Sequence, residues 1–312
     1  MSDTQNDVLD LIQVGKVKEV YEVKGSNQLE FRFTDKISVF DKVIPSMIPR
    51  KGESLCRTSA FWFESSGELG VRSHFIRLTG PDTMRVKRVN IERNMNRITP
   101  ESTSILVPLE FIARYYVAGS LLDRMKKGRV TNEEVGFPHD HTPKYGEPLP
   151  EPLFEATTKL EEIDRPVTNE EARELAKLSK DEWDQIREAV MKVDDLIAKQ
   201  AGSRGLIHVD GKKEFGLDEN REIMLLDTFG TADEDRFWDV EQYENGKLVE
   251  LSKEAVRQYY RSSGYHKELM DARDAGIPKD REPPIPPLPE NEINKVAKLY
   301  QEMFERLTGN RF

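Results

Sequence analysis

A single cysteine, Cys56, stands in 312 residues, so no internal disulfide can staple the fold. That scarcity fits a reducing compartment, and the expected role of the thiol is packing beside Phe61 and Trp62. Histidine is nearly as scarce. His74, His139, His141, His208 and His266 show no HExxH spacing, and no GxSxG elbow is present, which disfavours zinc and serine hydrolases. The His139-Asp140-His141 cluster lies in a proline-marked stretch and reads as a surface loop. No run approaches the roughly 18 apolar residues of a membrane span. The opening MSDTQNDVLDL lacks the basic segment and apolar stretch of a secretory leader. A cytoplasmic location and no membrane partner are therefore expected.

What is present is a globular composition, 37% hydrophobic and 33% charged, long enough for one large or two modest domains. The net charge of −10 argues against nonspecific nucleic-acid binding. It leaves room for a local lysine and arginine cluster that binds an anionic ligand. Oligomeric state is open.

The first hundred residues read mainly as strands. Val17, Val20 and Val23 flank one β-prone run, and Leu29, Phe31 and Phe33 alternate in another, with a turn over Lys24 to Gln28 suggesting a hairpin. Lys51 to Ser66 reads as a short helix, and Met84 to Val89 and Leu109 to Val117 as further strands. A polar stretch from Gly128 to Pro152 precedes two helices whose Thr168/Glu171 and Ser179/Glu182 pairs have capping-box spacing. The second carries an apolar stripe, Trp183, Ile186, Val190, Val193 and Ile197, with Gly202 placed to end it. Strands are expected again at Leu206 to Val209, Glu214 to Leu217 and Ile223 to Leu226. PPIPPLP, Pro283 to Pro289, reads as an extended strap ahead of a last helix from about Glu290 to Leu307. The class is α+β or mixed α/β in two lobes with a site between them.

Three segments carry chemistry. In Gly15-Lys16-Val17-Lys18 a glycine allows close backbone approach and alternate lysines can meet a phosphate chain, although a solvated strand edge explains two lysines as well. In HVDGKKEFGLDENREIMLLD, a hairpin symmetric about Asn220-Arg221 places Glu214 opposite Asp227. Opposed carboxylates about 4.5–5.5 Å apart need a proton or cation between them if buried, and magnesium suits such a pair. An exposed acidic pair is the competing reading. Alternation puts Asp210 and Lys212 on the face of Glu214, a set suited to phosphoryl transfer. Third, Arg114 and Ser120 in RYYVAGS, and Arg236 in DRFW, are candidate phosphate arms, although structural salt bridges explain most arginines.

Taken in order, GKVKEVYEV, TDKISVFDKVIPSMIPRKG, VPLEFIARYYVAGS, LPEPLFEATTKLEEID, VDGKKEFG and DRFW resemble the phosphoribosylaminoimidazole-succinocarboxamide (SAICAR) synthase family from about residue 12 to residue 308. The resemblance implies an α+β, two-lobed fold related to ATP-grasp and kinase-like folds. Its antiparallel β-rich nucleotide-binding lobe would span residues 1–118 and its mixed α/β lobe residues 119–312. It further implies ATP-dependent ligation of carboxyaminoimidazole ribonucleotide (CAIR) and L-aspartate with Mg2+. By position, Gly15, Lys16 and Lys18 would hold nucleotide phosphates, with Lys87 near the nucleotide. Glu214 and Asp227 would hold the metal. Arg114, Ser120 and Arg236 would grip the ribonucleotide phosphate, and Asp41, Lys51, Lys159 and Asp164 would line the substrate pocket. Lys212, with Asp210, would act at the carboxylate being activated. The same machinery also serves a small-molecule kinase, a ligase for another amine or a non-catalytic nucleotide-binding module.

The departures cluster. Gly211 and Lys213 stand in DGKKEFG where DTKFEFG is common, and they point away from the expected site face. Tyr115 stands where glycine is common. Thr228, Ala232, Glu234 and Asp235 replace glutamate, proline and two small polar residues, and acidic groups beside Arg236 would disfavour an anionic amine if they point inward.

Overall fold

The computed structural model describes residues 7–161 and 164–312. Residues 1–6, part of the opening read for a leader, and 162–163, within the LPEPLFEATTKLEEID motif, lie outside the described residues.

The N-terminal part builds β1 (Leu9–Val14), β2 (Lys18–Val23), β3 (Gln28–Phe33), the hairpin β4 (Lys36–Val39) and β5 (Lys42–Met47), helix α1 (Lys51–Glu68), then β6 (Phe75–Leu78) and β7 (Thr83–Lys87). β1, β2, β3, β7 and β6, in that order, form one antiparallel sheet. The expected Lys24–Gln28 turn joins β2 to β3. α1 begins at Lys51 as expected, and Cys56 is buried within it, its thiol pushed up first by burial.

The second sheet is built from β8 (Ile105–Tyr116), β9 (Pro148–Thr158), β10 (Pro166–Val167), β11 (Leu206–Leu217), β12 (Ile223–Leu226) and β13 (Asp235–Asp239), ordered β10-β9-β8-β11-β12 with β13 also on β11. Two corrections arise here. The strands expected at Leu206 to Val209 and Glu214 to Leu217 are one continuous β11, and Asp235–Asp239 forms a strand that the apolar pattern did not reveal. β8 pairs with β9 and β11, so sheet membership changes before Ile105, ahead of the expected lobe division after residue 118.

β11 is the spine of the second sheet. It pairs with β8 along one edge, and with β13 and then β12 along the other. Among the helices are α2 (Leu121–Lys126), α3 (Asn169–Ala176), α4 (Lys180–Gly202), α5 (Val240–Glu244), α6 (Glu254–Ser262), α7 (Tyr265–Asp274) and α8 (Glu290–Thr308). Ser179 and Glu182 form the full capping box of α4, and its stripe from Trp183 to Ile197 is buried against β11. Thr168 caps α3 by accepting from the Glu171 N–H.

The proline segment straps the chain's own surface. Ile285 and Leu288 are buried, and Tyr260 and Tyr265 donate hydroxyl bonds to the carbonyls of Pro286 (2.6 Å) and Pro283 (3.1 Å). Backbone bonds from His74 N–H to the Leu225 carbonyl (3.1 Å) and from Leu225 N–H to the Arg72 carbonyl (2.8 Å) tie the segment before β6 to β12. Just past β12, Asp227 reaches Lys18 of β2.

Candidate active site: a lysine–carboxylate cluster between two sheets

The hairpin register differs by one residue from the symmetric expectation. Leu217 pairs with Ile223, so Glu214 faces Leu226 and not Asp227. The turn holds an odd number of residues, 218–222, because the Asp218 carboxylate accepts from the N–H groups of Asn220 and Glu222, and Arg221 takes φ 62°. Strict alternation would then send Asp227 to the opposite face. Asp227 lies one residue past β12 with φ 57°, and this left-handed step turns it back towards the cluster.

There Asp227 pairs with Lys18 of β2, while Glu214 accepts from Lys159 (2.6 Å) and Lys212 (2.8 Å). Burial opposes ionisation of both carboxylates, but Lys18, Lys159 and Lys212 hold Asp227 well below its ordinary range, and Lys212 and Lys159 depress Glu214. Lys212 is itself raised, against burial, by Glu214, Glu234 and Glu110. The result is a pair of ionised carboxylates inside a ring of ammonium groups, all-oxygen donors of the kind a hard divalent cation takes. Lys18 also lies 4.2 Å from the centroid of the Phe31 ring.

Gly15 closes the turn into β2. Its N–H donates to the Lys18 carbonyl at 2.8 Å, and a Cβ there would sit 2.9 Å from that oxygen. Gly15, Lys16, Lys18, Asp227, Thr228 and Glu234 line one small cavity. Lys16 and Asp41 pair at 2.6 Å on its exposed rim, which lowers the Asp41 pKa. The Asp164 carboxyl is raised by burial and then by the charge of Glu110. Lys87 is exposed at the far end of β7 opposite Gln28, whereas Lys18 is opposite Phe33. The two lysines are thus about 17 Å apart along β3 and, five residues out of step, on opposite faces of the sheet, so Lys87 is not brought to the Lys18 cluster.

A second cluster lies one step back along β11. The Asp210 carboxylate accepts from Arg114 (2.9 Å) and Arg236 (2.7 Å), and Arg114 also binds Glu155 (2.7 Å). Arg236 Nε is buried without a protein partner among the described residues, and Ser120 leaves its hydroxyl out of helix capping. Gly119, at φ 57°, makes room for the arginine. A Cβ there would press on the guanidinium at 2.9 Å. Bound to two guanidiniums, Asp210 positions the arginines, and among the described residues it makes no ion pair with Lys212. Lys51 is likewise corrected. It is fully buried with its ammonium 3.0 Å from Asp233, so it braces the 231–235 turn and does not line the cavity.

Behind the sheet, the departures converge. Lys213 is fully buried between Asp194 of α4 and Asp235 (3.3 Å); Asp235 also bonds His208 (2.8 Å), and Tyr115 donates to Asp194 (3.1 Å). Asp194, His208 and Asp235 are close enough to share a metal, but the Lys213 ammonium sits among them and supplies the positive charge. Asp235 therefore faces the core and not the amine site. Of the two added carboxylates only Glu234 reaches the cluster, 3.1 Å from Lys212.

Sequence reasoning missed Glu110, which faces Glu214 across β8 and β11 and contacts Lys212 at 3.0 Å. A lone acid in the apolar strand VPLEFIA, four residues before Arg114, was its signal. Glu155, which holds Arg114 and Arg124, was missed in the same way.

A pair of carboxylates ringed by lysines thus lies between an antiparallel sheet and a second sheet backed by helices, with two arginines held beside it on the same strand. The SAICAR synthetase family profile matches residues 11–272. The phosphoribosylaminoimidazole-succinocarboxamide synthases of Thermoplasma acidophilum and Thermoplasma volcanium are 51% and 52% identical, each over 97% of this chain and 99% of the relative. A SAICAR-synthase from Saccharomyces cerevisiae complexed with SAICAR superposes with TM-score 0.75 at 25% identity, covering 100% of this chain and 99% of that one. A type-2 SAICAR synthetase in complex with ADP gives 0.67 at 25% identity, covering 97% and 99%. The chain belongs to the SAICAR synthetase family.

Proposed function

We propose that this chain is an ATP-dependent ligase of purine biosynthesis that condenses CAIR with L-aspartate to SAICAR, releasing ADP and phosphate. The observation that carries this reading is the arrangement on β11: one strand face presents Lys212 and Glu214 to the lysine–carboxylate cluster and, two residues earlier, Asp210 to a pair of arginines. That arrangement suits a nucleoside triphosphate and a phosphorylated substrate bound side by side along one strand.

A carboxylate oxygen is a poor leaving group. Transfer of the γ-phosphoryl group of ATP to the CAIR carboxylate makes phosphate the leaving group, and the amine of L-aspartate then forms the amide. Gly15, Lys16 and Lys18 hold the phosphate chain. Arg114, Arg236 and Ser120 bind the ribonucleotide phosphate, with the free Arg236 Nε as one donor. Lys212, helped by Lys159, neutralises the charge of the reacting carboxylate, and Asp41 and Asp164 border the same pocket. Glu214 and Asp227 fit Mg2+ as ionised oxygen donors. The metal would screen the phosphate charge there.

No helix among the described residues is long and apolar enough to cross a membrane, and the cytoplasm is the compartment of this proposal. Nothing in the comparisons favours a kinase or a ligase for another amine. The test is the product from CAIR, L-aspartate and MgATP. The expected mass is that of CAIR plus one aspartate less one water, with one ADP formed per product. A phosphorylated product, or ADP release indifferent to aspartate, would overturn the proposal.

A further inference from the structure

The Lys212 ammonium has three N–H donors: it donates to Glu214 at 2.8 Å and to Glu110 at 3.0 Å, while a Glu234 carboxylate oxygen lies 3.1 Å away as an ion pair without a hydrogen bond. The partners are not equivalent. Glu214 and Glu110 stand opposite each other on paired strands and are bridged a second time by Lys159, at 2.6 and 3.6 Å. Glu234 belongs to the turn ahead of β13, is partly exposed at the lip of the nucleotide cavity, and forms no other ion pair among the described residues.

Resting on the reading that Lys212 binds the CAIR carboxylate, that substrate must compete with the three acids already paired with the ammonium. Glu234 is the partner that can let go. We propose that Glu234 is a specificity-determining residue: it occupies the place of the substrate carboxylate on Lys212 and is displaced when that carboxylate binds. Until then it keeps Lys212 neutralised and aimed. A ribonucleotide without a carboxylate has nothing with which to displace it, so the exchange selects for the charged group that the reaction uses.

The test is calorimetric binding of CAIR, and of the same ribonucleotide lacking its carboxylate, to wild type and Glu234→Gln. The variant is nearly isosteric, and it removes both the competing charge and its repulsion of the ligand. CAIR should bind about three- to tenfold more tightly, while the carboxylate-free ribonucleotide shifts by less than about twofold. Glu234→Ser, which removes the side chain as well as the charge, should repeat the pattern. Equal shifts for both ligands would indicate a merely structural role, and unchanged or weaker CAIR binding would also overturn the proposal. A wild type that makes SAICAR while Glu234→Gln shows no preference sinks this inference alone. A wild type that makes none sinks the functional reading with it.

Discussion

Lys212 and Lys213 are neighbours on one strand, both raised above the ordinary lysine range by surrounding carboxylates, yet they do opposite work. Alternation sends Lys212 to the cleft, partly exposed, where its counter-ions include one that can leave. It sends Lys213 to the interior, where Asp194 and Asp235 enclose it completely. A lysine ringed by acids is therefore no sign of catalysis by itself. Solvent access and a releasable partner make the difference. The comparison also explains the departures from the family's common sequence. Tyr115, Lys213 and Asp235 meet in a single buried network, where each charge answers another, and leave the cleft face intact.

The comparison is sharpened first on the cleft side. Glu214→Gln or Asp227→Asn should lower kcat by about 10³–10⁴ without loss of the cooperative unfolding transition; kinetics across a magnesium titration check this. On the interior side, Lys213→Met leaves two buried carboxylates without their cation. It should cost about 3–5 kcal/mol of stability in denaturant unfolding, and adding Asp194→Asn and Asp235→Ser should restore part of it. Arg236→Ala should raise KM for CAIR about 10- to 100-fold with a smaller change in the KM for ATP, read from initial rates.

The smallest effect is expected away from both lysines. Glu282 is clamped by Arg273 (2.8 Å) and Lys42 (2.8 Å), whose hydrogen bonds hold its pKa down at about 2. Because the folded value is depressed, the clamp stabilises fully above the unfolded carboxylate range. Its contribution is lost as pH falls from about 4.5 towards 2. Glu282→Gln should therefore cost about 1–2 kcal/mol at pH 7. The gap from wild type should close over that acid window in urea unfolding measured at several pH values.

Much of this was legible in the residues. Alternation placed Leu29, Phe31 and Phe33 on β3, the capping pair Ser179/Glu182 started α4, and Asp210, Lys212 and Glu214 fell on one face of β11. The hairpin register was misread because an Asx turn at Asp218 and a left-handed Arg221 set an odd turn length, which hydrophobic pattern does not encode. The pairing of Glu214 with Asp227 came within reach all the same, through the left-handed step at Asp227. Lys51 was assigned to the pocket only through the resemblance of its PRKG segment. Its burial depends on Asp233 and Tyr300, far along the chain. Glu110, and the contact of Glu234 with Lys212, became visible only once β8 and the 231–235 turn were folded against β11.

The most direct measurement is to make Lys212→Met and Lys213→Met side by side, following SAICAR formation and thermal unfolding for each. Lys212→Met should lose turnover and unfold close to wild type, while Lys213→Met should unfold far earlier and, below its transition, keep KM values near wild type. Turnover surviving in Lys212→Met, or abolished in a fully folded Lys213→Met, would contradict the assignment of chemistry to one face of β11.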